Sequence, residues 1–324
     1  MKYLIHPADS LGCGMYRLLL PAYAMRKAGH ETQVEFATID CISSFDTIVF
    51  QRVHREGFED ILKAYRKRAP NAALVMDIDD DLYNLPHIFP KEDQDRFTWA
   101  CNFVDKVIVS TEYLKQRLIA EGVTTKIEVR PNMICADFWA EKVPTNKRCL
   151  AKPRLLLTGA MGHAKNGDLG MVRDLPKKLG KHVQIVALGD EIPKMWGHNH
   201  KNVFYMPWAR VNEFPSYVRA IAADYWLAPL NPRLEFNNSK SNIKYLEATM
   251  AGALLCAQRD SLPYANLPGV VYYDTLDELA ARIKSIKDAE YVELYKAAYL
   301  HILENYIMDS DYGVEAIRHS WSKE

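Results

Sequence analysis

Two stretches of the chain group side chains of a kind that can do chemistry. The first runs from Phe236 to Gly252. A polar, cationic segment holding Ser239, Lys240 and Lys244 enters a helical pattern that carries one acid, Glu247. The pattern stops at Gly252, ahead of the apolar run Ala253–Ala257. Free backbone N–H groups and the positive end of a helix dipole favour phosphate at such a start. Ser239 is of the helix-capping type, its hydroxyl is also within reach of phosphate there, and an acid deeper in the helix suits ribose hydroxyls. Phosphates at a helix mouth with a sugar edge beside them describe a nucleotide-sugar pocket. A capped amphipathic helix with surface lysines is the plainer alternative. The second stretch is the acid cluster Asp77, Asp79, Asp80 and Asp81. Four acids this close raise one another's cost of ionisation unless cations or water intervene. They suit acceptor-hydroxyl binding and base work. Asp79 and Asp80 are the catalytic candidates, Asp77 an acceptor contact, and turn and cap acids the alternative. Arg52 can pair with these acids or touch an acceptor.

The elements around these residues alternate. Lys2–Ile5 reads as a strand, followed by the loop Gly12-Cys13-Gly14 and a helical pattern from Arg17 to Ala28. Glycines at 12 and 14 let backbone approach a ligand closely, and Arg17, one turn in, is placed to face phosphate or solvent. Further strands read at 32–36, 47–51, 73–77, 106–110 and 126–130, with helices near 59–68 and 112–121. Residues 138–153 are polar, hold Pro144 and Pro153, and read as a linker. The pattern then restarts with strands at 154–158, 183–188, 203–205, 224–228, 253–257 and 270–273, and two helices across 288–320. Strand–helix alternation predicts parallel, doubly wound sheets. The candidates Gly12, Gly14, Arg52, Asp77–Asp81, Gly159–Lys165 and Ser239–Glu247 all fall at carboxyl ends of strands. That is the edge where such sheets bind ligands, and two sheets in tandem would place a cleft there.

Bulk properties narrow the class. At 324 residues, two domains are the default. Apolar content of 48% and charged content of 25% are those of a soluble globular chain. The formal net charge is zero, so nothing global points to nucleic acid or membrane. The six cysteines include no C-x-x-C pair, which fits reduced, mostly buried thiols and a cytoplasmic location. No run approaches the roughly 20 apolar residues of a membrane span.

Four segments carry a resemblance to a known family. They are Gly12-Cys-Gly-Met-Tyr-Arg17 with Pro21 and Ala28-Gly29-His30, the strand end Val75–Tyr83, the loop Thr158-Gly-Ala-Met-Gly-His-Ala-Lys165, and Asn237–Gly252. Together they resemble the GT-B glycosyltransferases, especially the retaining, family 4-like enzymes. The resemblance implies an α/β fold of two tandem doubly wound (Rossmann-like) domains facing a central cleft. Residues 1–145 would bind the acceptor and 146–300 the nucleotide-sugar, with 301–324 a helix packing back on the N-terminal domain. It implies hexosyl or pentosyl transfer from a nucleotide-sugar, a UDP-sugar, to an acceptor hydroxyl with retention. The nucleotide-sugar is a co-substrate, no cofactor is required, and a divalent metal is not expected although Asp-x-Asp oxygens suit one. On this likeness Glu247 holds the donor ribose and Lys165 stabilises the departing diphosphate. His163 bonds sugar or phosphate, and Gly159 opens the donor loop. Lys240 and Lys244 neutralise the diphosphate.

One departure stands out. The family carries two glutamates with seven residues between them. Glu247 fits the second, and Ser239 stands where the first would be. Three functional readings follow. The acceptor is a surface glycan, in a bacterial cytoplasm. Alternatively, a viral enzyme glycosylates hydroxymethylated bases in DNA, with the basic cluster Arg52, Arg55, Lys63, Arg66, Lys67 and Arg68 along the phosphate backbone. Or the chain is a non-catalytic nucleotide- or sugar-binding module, the reading that Ser239 favours.

Overall fold

A computed structural model of the chain describes residues 1–85, 88–139, 152–159, 167–197 and 200–323. It divides into two compact units. The first comprises Met1–Asp137, Ser239–Ser241 and Tyr306–Glu324; the second comprises Phe138–Asn238 and Asn242–Asn305. Most of the stretch read as a linker, and the donor-loop residues His163 and Lys165, lie outside the described residues.

Each unit is built on a six-stranded, wholly parallel sheet. In the first, β1 (Lys2–His6), β2 (Glu31–Val34), β3 (Thr47–Gln51), β4 (Ala73–Ile78), β5 (Lys106–Val109) and β6 (Ile127–Val129) lie in the order β2-β1-β3-β4-β5-β6. In the second, β7 (Arg154–Thr158), β8 (Gln184–Leu188), β9 (Val203–Met206), β10 (Tyr225–Ala228), β11 (Leu254–Gln258) and β12 (Val271–Tyr273) lie in the order β12-β11-β10-β7-β8-β9. Every residue of β3, β4, β5, β10 and β11 is buried. That is why these strands read as continuous apolar runs rather than alternating ones: helices cover both faces of a parallel sheet. The strand order reverses between β1 and β3 in the first unit and between β7 and β10 in the second. At such a switch point neighbouring crossovers diverge to opposite faces, and a crevice opens at the carboxyl ends.

The doubly wound α/β class and all twelve strands agree with the sequence. Helix starts and several helices do not. Helices Lys91–Phe103 and Leu276–Ser285 are additional; the first is too polar to show a clean apolar stripe. A short helix, Glu235–Asn238, follows β10, and the helix that carries Glu247 starts at Ile243, with Asn242 at its N-cap and no side-chain cap, so Ser239 does not cap it. Cys41 is exposed, whereas Cys101, Cys135 and Cys256 are buried thiols. Trp139, Trp226 and Trp321 are core residues, whereas Trp208 is exposed.

The C-terminal segment Tyr306–Glu324 completes the first unit. Ile307 bridges Ile134, the Thr47 hydroxyl donates to the Trp321 carbonyl at 2.9 Å, and Lys106 donates to the His319 carbonyl at 3.1 Å.

Candidate active site

The carboxyl end of β4 sorts its four acids into different tasks. Asp77 is fully buried beside Arg17, itself 1% exposed. Arg17 Nε and Nη2 donate to the two Asp77 oxygens at 2.8 and 3.0 Å, while its Nη1 donates to the Arg130 carbonyl at 2.7 Å and Asn132 Oδ1 at 3.1 Å. Arg130 Nη2 donates to Asp77 at 2.9 Å and to the Arg17 carbonyl at 2.8 Å. Burial works against the Arg17 charge, but Asp77 outweighs it and holds the guanidinium protonated. Arg130 is pushed down to about 10 by burial and then by Arg17. Arg17 sits within a π-helical turn, Met15–Leu19, of the otherwise α-helical run Gly12–Lys27, a distortion that redirects a side chain. Both Arg17, a donor candidate, and Asp77, an acceptor candidate, are therefore enclosed and occupied with one another, out of a ligand's reach.

Asp81 is enclosed as well. It caps the turn Leu82–Asn84, accepting from Tyr83 N at 3.1 Å, Asn84 N at 3.3 Å and Asn84 Nδ2 at 2.6 Å. That leaves Asp79 and Asp80, both partly exposed. Asn132 Nδ2 faces the Asp79 oxygens at 3.3 and 3.4 Å. Burial, and then Asp80, push the Asp79 carboxyl above the usual carboxylate range, with Arg17 opposing. Asp80 meets Arg52 Nη1 at 3.2 Å and Lys240 Nζ at 3.8 Å, and accepts from the Cys13 thiol at 3.5 Å. Burial pushes that thiol up, so it is no thiolate.

Arg52 also pairs with Asp9 at 2.5 Å, and it holds φ at +49° at the end of β3. A left-handed arginine is uncommon, and strain of this kind collects at functional sites. Asp9 in turn organises the glycine loop, accepting from Leu11 N at 2.9 Å and Gly14 N at 3.1 Å. A Cβ on Gly14 would lie 1.8 Å from the Asp9 carbonyl oxygen, so glycine is obligatory there, while Gly12 has open space. A cavity of about 490 Å³ lies beside Arg52, where β1 and β3 end, at the switch point of this sheet.

The segment Ser239–Ser241 belongs to this first-unit cluster. The Ser239 carbonyl accepts from the Thr111 hydroxyl at 3.1 Å, and Asn132 Nδ2 donates to Ser241 Oγ at 2.7 Å. Of Ser239 and Lys240, both read as donor contacts, Lys240 faces Asp80 and Ser239 is held to Thr111. The helix Ile243–Met250 of the second unit keeps Lys244 and Glu247 one turn apart, Glu247 being 9% exposed. The hydroxyl of Tyr264 is pushed up by burial and then by Glu247, which places that carboxylate nearby. Gly159 ends β7 at the second switch point and donates to the Leu188 carbonyl at 3.0 Å. A Cβ there would press on Ile192 at 2.9 Å. Beside it, buried Asp168 accepts from Asn231 N at 2.7 Å and Asn237 Nδ2 at 2.8 Å, fixing the loop after β10.

Among the described residues, no three His, Cys, Asp or Glu side chains come together as metal ligands, and no helix is long and apolar enough to cross a membrane. The basic helix Phe58–Arg68 is largely neutralised. Arg66 pairs with Asp105 at 2.7 Å and Arg68 with Asp40 at 2.7 Å, while Lys63 lies 3.9 Å from Glu59 and over the Trp99 ring. Sequence reasoning missed Asp9, Arg130, Asn132 and Asp168. Asp9 carried a signal, since an Asp before a glycine loop is a turn-forming residue; the other three act only through partners far along the chain.

No protein-family model matches the sequence, and no curated protein matches it. Solved structures do resemble it. A glycosyltransferase from Rickettsia africae ESF-5 is 12% identical over 98% of this chain and 96% of that one, with a TM-score of 0.63. Sucrose-phosphate synthase from Thermosynechococcus elongatus is 10% identical over 98% and 96%, with a TM-score of 0.64. A trehalose-6-phosphate protein from E. coli bound with UDP-2-fluoro glucose is 13% identical over 86% and 73%, with a TM-score of 0.59. At these identities the likeness is one of fold, and the fold is that of the GT-B glycosyltransferases.

Proposed function

We propose that the chain is a glycosyltransferase that moves a hexosyl or pentosyl group from a UDP-sugar to an acceptor hydroxyl, with retention at the anomeric carbon. The observation that carries this reading is the second unit's Rossmann-like sheet with Glu247 on the helix Ile243–Met250, between β10 and β11. Sheets of that strand order bind nucleotides at their switch point, and the E. coli structure with UDP-2-fluoro glucose has the same fold. In this reading Glu247 holds the ribose, and the Gly159 loop with His163, Lys165 and Lys244 receives the sugar diphosphate. The first unit holds the acceptor beside Asp79 and Asp80. The bond from the anomeric carbon to the diphosphate oxygen breaks and its electron pair leaves with the diphosphate. The acceptor oxygen bonds to that carbon, and its proton passes to Asp79. Lys165 stabilises charge on the leaving group, and the acids place the hydroxyl.

The chemistry requires no metal ion in this scheme, so a chelator should leave transfer intact. Ser239 is not assigned the hexose contact in this reading, which is supported by its carbonyl accepting from Thr111 in the first unit. The duplex-DNA reading loses support, since Arg66 and Arg68 are already in ion pairs.

Glu247→Ala tests the donor assignment. A hydrogen bond to a charged group is worth about 1.5–3 kcal/mol, so UDP affinity by calorimetry should fall about 10- to 150-fold. Unchanged affinity would remove Glu247 from the site.

A further inference from the structure

The cavity at the first unit's switch point has a chemistry of its own. Its walls include the rings of His6, Phe36, Phe50, His54, Phe58 and Phe89. Phe36 is exposed, although phenylalanine is normally buried. The His6 and Phe50 rings stack at 5.2 Å and 15°, and His54 meets Phe89 edge-on at 5.0 Å. His6 is held neutral. Its Nδ1 donates to the Glu35 carbonyl at 2.9 Å, its Nε2 faces the Tyr65 hydroxyl at 3.3 Å, and burial lowers its pKa.

The polar groups are few and specific. Gln51 lines the cavity and is 3% exposed. Its Oε1 accepts from Ala8 N at 3.0 Å, which fixes the amide orientation. Its Nε2 is then a buried donor with no partner among the described residues. A buried amide N–H left unpaired is costly, and a ligand that accepts from it relieves that cost. Among the described residues, the lining holds two arginines, Arg52 and Arg55, and no acid. Arg52 is taken by Asp9 and Asp80, whereas Arg55 is exposed and makes no ion pair among the described residues.

We propose that this cavity binds the acceptor through a planar unsaturated ring that accepts a hydrogen bond from Gln51 and carries an anionic group paired with Arg55. The inference rests on the glycosyltransferase reading and deepens it. A bare sugar can pack a C–H face on these rings, but its several hydroxyls outnumber the few polar side chains of the described lining, so a ring with one acceptor edge fits better. An alkyl chain would leave Gln51 Nε2 unpaired. A ring offers π-faces to the aromatic walls, one acceptor edge to Gln51 and its charge to the mouth. A volume of about 490 Å³ suits a ring with its substituent. Arg52, shared between the cavity and Asp80, brings the ring's hydroxyl substituent to the acid pair.

The test uses the full chain with saturating UDP and four probes in ligand-observed NMR or calorimetry. Two probes bear planar rings, phenyl phosphate and 5-hydroxymethyl-2′-deoxycytidine 5′-phosphate. Two do not, glucose 6-phosphate and octyl phosphate. At least one ring probe should bind about tenfold or more tightly than either ringless probe. A preference for the nucleotide over phenyl phosphate would identify the ring as a base; the reverse would identify a simple arene. Gln51→Glu keeps the bond from Ala8 and turns the donor into an acceptor, so it should weaken the ring probe about tenfold or more. Arg55→Ala, at an exposed position that folding does not need, should weaken the ring phosphate about five- to tenfold and leave its uncharged nucleoside or phenol unaffected. Tighter binding of glucose 6-phosphate or octyl phosphate would overturn the proposal, as would ring binding indifferent to both substitutions. If UDP itself does not bind the wild type, the donor reading fails; if UDP binds and no ring probe does, this inference fails alone.

Discussion

Replacing Asp77 by Asn should destabilise the first unit by about 3–5 kcal/mol, the cost of removing one partner from a buried ion pair. The reason is arithmetic of charge in a closed space. Arg17 and Arg130 are 1% and 4% exposed, and both donate to Asp77. An amide in its place leaves two buried guanidiniums without the one carboxylate to which both are hydrogen-bonded. Arg130 is already the less secure of the two: its charge is disfavoured by burial and by Arg17, and its Nη1 has no hydrogen-bond partner among the described residues. It rests over the Trp321 ring, 5.4 Å from the centroid. Urea denaturation followed by circular dichroism should show the midpoint falling for Asp77→Asn. A variant with unchanged stability and lost transfer would instead return Asp77 to the acceptor site.

Asp79→Asn should do the reverse, leaving the fold in place and lowering the rate of transfer about 10²–10⁴-fold, the usual contribution of a positioned acid or base. Asp79 is partly exposed, faces Asn132, and has a carboxyl raised by burial and by Asp80. A raised carboxyl contributes stability in acid, where it is protonated, and loses that contribution as pH rises through its folded value. At neutral pH the ionised group is therefore a cost to the fold, and Asn should leave stability equal or higher. The wild-type rate should rise with pH through a midpoint above the ordinary carboxylate range, and that step should vanish in Asp79→Asn. A rate that keeps its pH step in the variant would assign the titration to another group.

The different surroundings of these neighbouring acids separate what was legible in the sequence from what was not. The sheets were legible because fully buried strands such as β3 and β4 write long apolar runs, and the Gly and Asp punctuation marks their ends. The acid cluster was legible as a cluster. Its division of labour was not, because Asp77 depends on Arg130, which lies 53 residues away in the chain, and Asp81 on Asn84. The start of the Glu247 helix was misplaced because Ser239-Lys240-Ser241 looks like a capping segment. Its backbone instead answers to Thr111, and its side chains to Asn132 and Asp80. The cavity beside Arg52 left little trace in the sequence, since its phenylalanines come from four separate segments that only the fold assembles.

The central claim, that this chain transfers sugar from a nucleotide donor, meets its most direct test in donor turnover. The full chain should be incubated with a panel of UDP-sugars and the released UDP measured, alongside the Glu247→Ala variant. If the chain does transfer sugar, UDP should be released slowly from at least one donor even without acceptor, with a marked loss in the variant. No release and no calorimetric binding of UDP or any UDP-sugar at millimolar concentration would contradict it.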